Sequence, residues 1–432
     1  MKHSRDGEQR LPRADSEQQH QTADVVADPG RRRLLSQTGL MLGGGVIGLS
    51  IPFQHCLPAG VMPLAYGANP LADSIPGKRN LALLSDRPVC GEPLPHELDD
   101  DITPSARHFI RNNGHPPSDI DLSAWRLQIV GEVERELNLS IAALQRDFEV
   151  VSANLVLECA GNGRAGFIPR TLGTQWTYGA VGCSRWTGVR LADVLRAAGV
   201  KSSAVYTAHY GADRHLSGRA DKLPISRGVP IAKAMQPENL IAFAMNDQPL
   251  HPMNGAPLRL VIPGWPASCS HKWLNRIQLR DQVHDGPKMT GMSYRVPERP
   301  MAPGDDAAQV EFKIIGRMPV KSMITWPASN TVLVDAVCEV RGHAWAGERV
   351  VERVEVSIDF GATWQTAALE PPPNPGAWQR FRANVRFPQS GYYEVWARAI
   401  DEAGVSQPFV AAWNPKGYLN NAVHRLPLRV MV

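Results

Sequence analysis

Cys159 has more chemical potential than any other residue in this chain because of what surrounds it. It sits in the stretch Leu155-Val-Leu-Glu-Cys-Ala-Gly-Asn-Gly-Arg164. Four residues with strand character deliver the thiol into a turn of small residues. Gly161 and Gly163 let the backbone bend tightly and approach a ligand closely. Asn162 tolerates turn geometry, and Arg164 adds a permanent cation with a forked donor face. A thiolate at a strand end, beside bare amides and an arginine, suits a soft metal or an oxyanion. A lone cysteine after an apolar strand is ordinarily a buried small hydrophobe. The rest of the chain decides between packing and chemistry.

The elements that must position this loop are mostly strands. Upstream, Arg107-His-Phe-Ile-Arg-Asn-Asn-Gly-His-Pro-Pro117 mixes aromatic, basic and amide side chains and leads toward an alternating strand over Trp125–Gly131. Helical signals are few and short. Ser140 is an N-cap before Ile141–Gln145, and Leu191–Ala198 is amphipathic and closed by Gly199. Pro230–Met235 and Pro237–Leu240 predict similar short pieces. This α+β segment reaches about residue 295 and gives way to a Pro-, Gly- and Asp-rich linker, Pro297–Asp306. Beyond it Thr331–Val340, Val350–Ile358, Gln379–Phe387 and Tyr392–Ile400 read as strands, with a turn at Asp359–Ala362. Evenly spaced strands with turn signals predict a β-sandwich whose default roles are packing and dimerisation.

Composition narrows the function. At 432 residues the chain needs two or more domains, and 43% hydrophobic residues supply their cores. Its 46 basic residues nearly balance 42 acidic ones, which argues against nucleic-acid binding through a basic field. The six cysteines form no Cys-x-x-Cys and no Cys-x-x-Cys-His, so neither a zinc ribbon nor a self-attached c-type haem is expected. Electrons from any redox chemistry would leave to an external acceptor.

The first 30 residues are polar, and Arg31-Arg32-Arg33-Leu34-Leu35 then precedes a mildly apolar run to about Phe53. The small residues of Pro63–Ala68 follow. That order describes a secretory signal, and the paired arginines before two leucines resemble a twin-arginine signal. The apolar run holds Ser36, Gln37, Thr38 and several glycines, which makes it a poor membrane span. A periplasmic protein is expected. The domains read as residues 1–68 signal, 69–105 extended arm, 106–296 catalytic domain, 297–308 linker and 309–432 sandwich.

Several segments, in order, resemble the sulfite oxidase family of molybdenum enzymes over nearly all of residues 85–432. Phe109-Ile-Arg-Asn112 is similar to the family's arginine-bearing entry segment, and Cys159-Ala-Gly-Asn162 to its molybdenum-thiolate loop. Gly179–Gly182 through Trp186–Leu191, and Pro257-Leu-Arg259 with Val261–Gly264 and Lys272-Trp-Leu274, resemble the segments that follow it. Trp413-Asn-Pro-Lys-Gly-Tyr-Leu-Asn-Asn421 is similar to the C-terminal segment. The resemblance implies a sulfite-oxidase-type molybdopterin domain followed by an immunoglobulin-like dimerisation domain. It implies molybdenum held by one molybdopterin per chain, with Cys159 as the protein ligand. It carries pterin contacts onto Asn112, Asn113, Arg259, Ser270, His271 and Lys272. Asn254 and Asn113 stand where vertebrate members have histidines, replacing a titrating partner by a neutral amide. Asp213 is an acidic pterin contact for which Asp221 competes.

For the substrate, the resemblance implies a cage of arginines with a tyrosine beside the metal. Arg111 and Arg164 match two of the arginines, and Tyr294 in Gly291-Met-Ser-Tyr-Arg-Val296 is the tyrosine. The expected reaction is oxidation of sulfite to sulfate, with a periplasmic c-type cytochrome as electron acceptor and a homodimer as the assembly. The alternative is the molybdenum subunit of a sulfane dehydrogenase in a thiosulfate-oxidising complex. Arg111-Asn-Asn113 and Cys159-Ala-Gly-Asn162 lean toward sulfite.

Overall fold

A computed structural model describes residues 75–432. The signal, with Arg31–Arg33 and Cys56, lies outside the described residues. Among the described residues no helix is long and apolar enough to cross a membrane.

Strands dominate more than an α+β label allows. The described α-helices are short: Ile141–Asp147, Leu191–Ala198 and Ile231–Ala234. All three form where local signals placed them, the last within Pro230–Met235. The Ser140 side chain accepts from the Ala143 N–H at 3.0 Å, which caps an orphan donor of the first turn. Gly199 ends Leu191–Ala198 in the left-handed region at φ 72°, where a Cβ would be strained. The short piece expected at Pro237–Leu240 is not helical. Leu240 instead begins a strand, Leu240–Met245, because it pairs with Arg190 on one side and Val261 on the other.

Two sheets build the first domain. In one, Gln248–Pro249, Leu240–Met245, Val181–Arg190 and Val150–Glu158 lie side by side and antiparallel, and Arg259–Val261 also pairs with Leu240–Met245. In the other, the order is Leu137–Leu139, Leu127–Gly131, Leu274–Arg280, Tyr206–Gly211. The apolar face of the Leu191–Ala198 helix joins them. Val194 and Leu195 pack with Ile129, Val189, Ile241, Leu260 and Ile277 in one buried cluster. The result is a rigid base from which Val150–Glu158 ends directly at Cys159.

Residues 81–93 are not an extended arm. Leu81–Asp86 and Val89–Pro93 form an antiparallel hairpin, and Val89–Pro93 pairs in turn with Ile110–Arg111. The proline-rich composition misled because Pro88 sits in the turn and Pro93 ends its strand, where neither is asked to donate to a ladder. The buried Glu92 carboxylate accepts from the backbone N–H of Thr177 and of Gly179 at 2.8 and 2.9 Å, tying the hairpin to the base. Asp99 and Asp101 then pair with Arg341 at 2.7 Å and Arg380 at 2.5 Å in the C-terminal part.

In the C-terminal part, two sheets share one core. One contains Lys321–Trp326, Val337–Trp345, Gln379–Arg386 and Ala368–Leu369. The other contains Val332–Leu333, His424–Val430, Gly391–Asp401, Val351–Ser357 and Gln365–Thr366. Alternate residues of both, among them Ile324, Val340, Phe381, Val354, Val395 and Leu426, meet in a single buried cluster.

Candidate active site

The Cys159 loop is clamped from three directions. Its own backbone closes first: the Cys159 N–H donates to Ala180 O at 2.9 Å, and the Asn162 N–H donates back to Cys159 O at 2.8 Å. Gly163 takes φ 90° to start a tight turn, Arg164–Gly166. Gly161 must lack a Cβ, because one would sit 2.4 Å from the Arg164 guanidinium. The second clamp is Glu158, whose carboxylate accepts from Asn162 Nδ2 and Lys321 Nζ at 3.0 Å each and from Trp345 Nε1 at 2.8 Å. The third is the segment 416–420. Leu419 N–H donates to Ala160 O, Asn420 Nδ2 to Gly163 O, and Arg164 Nε to Lys416 O, all at 2.8 Å. The C-terminal part of the chain therefore supplies the outer wall of this loop, a role beyond the packing and dimerisation expected of it.

Cys159 opens into a cleft of about 580 Å³. Arg111, Asn113, Asp213, Asn254, Arg259, Ser270, His271, Lys272 and Tyr294 line it with Cys159. Phe109 and Trp273, quoted above only as parts of motifs, and Ile225 and Ser268, which the sequence did not single out, complete much of the wall. Asp213 rather than Asp221 is the aspartate of the cleft; Asp221 is exposed and paired with Arg219 at 2.6 Å.

Two expected residues stand apart from the lining. Asn112 is fully buried, and its side-chain oxygen accepts from Lys272 Nζ. Chain alternation explains it: Arg111 and Asn113 face the cleft and Asn112 faces away. Its contribution is to hold Lys272. Arg164 is also buried and off the lining, with donors committed to Lys416 O and, at 2.7 Å, to Thr174 O. It remains within electrostatic reach of the Cys159 thiol. Of the lining residues, Ser270 Oγ accepts from the Ile262 N–H at 2.9 Å, and Asn254 is spent on Phe109 O and Lys78. The Ser270 hydroxyl still has its own O–H to donate, whereas the Asn254 amide is held in the wall by these two bonds.

The electrostatics are those of a site waiting for an anion. Burial draws Arg259 down to about 9. Burial, then Arg259, holds Lys272 well below the usual lysine range. Burial, then Lys272 and Arg259, takes His271 down to about 3, so that imidazole is neutral. Lys78 is pulled to about 7 by burial and Arg259, with its ammonium spent on oxygens of Ser105, His108 and Asn254. Asp213 is the single acid among the lining residues. Arg259 Nε and Ser268 Oγ are buried and lack a protein partner. Buried cations and orphaned donors without an anion are costly, and a polar-edged anionic group would relieve each of them. That is the chemistry of a pterin carrying a phosphate, and the residues present fit it.

Cys159 itself is 7% exposed. Burial pushes its thiol up, and Arg111 and Arg164 act against that shift. A metal bound at the sulfur would favour the thiolate form. Among the described residues no group of three or more His, Cys, Asp or Glu is placed to hold a metal.

Asp213 yields a pH prediction. Burial pushes its carboxyl up to about 6 against the pull of Lys272. A raised folded-state pKa gives stability that is complete below about pH 4 and is lost as pH rises through about 6. Asp213→Asn removes that loss. Relative to wild type, the cofactor-free variant should gain on the order of 2–3 kcal/mol between about pH 4 and pH 7.5 in denaturant titrations. A gain independent of pH would contradict the buried, ionising Asp213.

Comparison with known proteins agrees with this geometry. The family model described as "Oxidoreductase molybdopterin binding domain" matches residues 113–288, and "Mo-co oxidoreductase dimerisation domain" matches residues 312–431. The chain is 32% identical to mitochondrial sulfite oxidase of Mus musculus over 388 residues, covering 85% of this chain and 69% of that one. It is 31% identical to the nitrate reductase [NAD(P)H] of Hordeum vulgare, over 76% of this chain and 39% of that one. Its structure is similar to a chain of the sulfane dehydrogenase SoxCD from Paracoccus pantotrophus, with TM-score 0.67, 26% identity, and 89% and 92% of the two chains covered. A molybdopterin oxidoreductase domain joined to its dimerisation domain defines the class, and the chain belongs to the sulfite oxidase family.

Proposed function

We propose that this protein is a periplasmic sulfite dehydrogenase: it oxidises sulfite to sulfate at a molybdenum–molybdopterin centre and passes electrons to a c-type cytochrome. The observation that carries the reading is the cleft in which Cys159 meets Arg111, Arg259 and Lys272 with a single carboxylate among them. Cys159 would hold the metal. Arg259, Lys272, neutral His271 and the free Ser268 hydroxyl would hold the pterin and its phosphate, and Asp213 would take a pterin N–H. When bound, the cofactor supplies a two-electron oxo-transfer couple.

The protein's own work is binding and orientation. Sulfite is a small dianion with a lone pair on sulfur, and guanidinium donors on its oxygens leave that lone pair free to face the metal. Arg111 is the lining arginine on the substrate side. Lys288 is within electrostatic reach of Arg111 and of Lys416, and burial and these two cations hold it below its ordinary range. These three cations draw dianions inward. Tyr294, almost fully buried in the same cleft, would donate a hydrogen bond to a bound oxyanion.

Arg111→Gln should raise the sulfite KM about 10- to 100-fold with kcat little changed, because a charge-assisted ground-state contact is lost. An unchanged KM would remove Arg111 from the pocket. A second reading, oxidation of sulfane sulfur, is favoured by the similarity to the SoxCD chain. Steady-state rates on sulfite, thiosulfate and protein-bound sulfane, with an artificial acceptor and then cytochrome c, decide between them. Sulfite is expected to be turned over with the highest kcat/KM.

The same proposal takes the domain limits as 106–296 for catalysis and 309–432 for an immunoglobulin-like sandwich. It includes a homodimer through the sandwich and export by the twin-arginine route.

A further inference from the structure

Tyr294 is held in an unusual way. Its backbone lies at φ 51°, a region that a bulky residue enters only under constraint. The guanidinium of Arg227 lies over its ring, 4.5 Å from the ring centre. The ring of Tyr418 stacks on it, with centroids 5.5 Å apart and planes 12° from parallel. Tyr418 in turn carries Arg164, whose guanidinium is 5.3 Å from that ring. Arg227, Tyr294, Tyr418 and Arg164 thus form one connected series of two stacked rings with a cation over each.

Both neighbours of Tyr294 are themselves anchored. Asn414 fixes Tyr418 through both backbone groups, accepting from its N–H and donating to its C=O at 2.9 Å each. Arg227 is 1% exposed and donates to Lys288 O and to Met289 Sδ at 2.9 Å. Among the described residues it makes no ion pair, and its Nε lacks a partner. A buried guanidinium without an anion is costly, and an aromatic face offsets only part of that cost. Filling space would need no charge. A cation over the ring and a second ring stacked on it together restrict the plane of one tyrosine and so the direction of its hydroxyl.

We propose that Tyr418, from the C-terminal domain, and Arg227 are positioning residues that hold the Tyr294 hydroxyl in its working direction. The stack makes the C-terminal domain part of the catalytic geometry. The activity arm of its test rests on the sulfite reading; the orientation arm does not.

The experiment uses cofactor-loaded enzyme, with rates normalised to molybdenum. Tyr418→Phe keeps the ring and should stay within about twofold of wild type. Tyr418→Leu removes the stack and should lower kcat for sulfite about five- to tenfold. In a Tyr294→Phe background, which lacks the hydroxyl being positioned, Tyr418→Leu should cost no more than about twofold further. Equal losses in both backgrounds, or no loss in either, would overturn the proposal. The second arm places 3-fluorotyrosine at position 294 and reads its fluorine resonance without substrate. The line should be unchanged in Tyr418→Phe and moved or broadened in Tyr418→Leu; an unchanged line in Tyr418→Leu refutes the clamp. Absence of sulfite turnover by wild type, with the line still responding, would indict the substrate assignment and leave the clamp supported.

Discussion

Cys159→Ser is expected to bring sulfite turnover down on the order of 10³-fold or more, while the protein stays folded. The serine hydroxyl is a hard, high-pKa group and a poor substitute for a thiolate on a soft, high-valent metal. Losing about 4 kcal/mol of stabilisation at that step already accounts for a thousandfold. The fold should survive because the change is small in volume. The new hydroxyl faces a cleft lined by polar groups, and the surrounding clamps from Glu158 and from segment 416–420 do not use the sulfur. Circular dichroism and the thermal midpoint should change little. A variant with wild-type turnover would refute Cys159 as the metal ligand. A variant that fails to fold would mean that the thiol is chiefly a core residue.

Lys321→Met should be the most destabilising single change at the site, by about 3–5 kcal/mol. Glu158 and Lys321 are 4% and 5% exposed and pair at 3.0 Å. Removing the cation leaves the carboxylate buried without its counter-charge. Asn162 Nδ2 and Trp345 Nε1 still donate to it, which favours the lower end of that range. The double variant Glu158→Gln, Lys321→Met leaves no orphan charge and should recover most of the loss. Because Glu158 immediately precedes Cys159, the single variant should also retain less molybdenum. Denaturant titration of the two variants side by side reads the coupling. Equal destabilisation by single and double variants would contradict the buried pair.

What was legible in the chain was what short-range chemistry determines. Ser140 and Gly199 mark the ends of helices because caps are made within three or four residues. The Cys159 loop was legible because its glycines and arginine act on one turn. Contacts across the chain were not. Lys78 falls in a stretch whose prolines suggested an extended arm, yet it reaches Asn254, 176 positions away. Arg164 looked like a free anion binder, but Lys416 O, 252 positions on, accepts a hydrogen bond from its Nε–H. Nothing near Tyr418 or Arg227 in the chain signals that both lie against the Tyr294 ring. Asn112 illustrates a smaller gap: its place beside Arg111 was right, but the direction of its side chain depends on strand alternation.

The account depends on a metal bound at Cys159 by a cofactor seated among Arg259, Lys272 and His271. Its most direct test is molybdenum X-ray absorption on protein purified from a host that makes molybdopterin, comparing wild type with Cys159→Ser. The predicted result is about one molybdenum per chain in wild type, with one sulfur neighbour fewer around the metal in the serine variant. A folded wild-type protein free of molybdenum and pterin, or a metal whose sulfur neighbours are the same in both proteins, would contradict it.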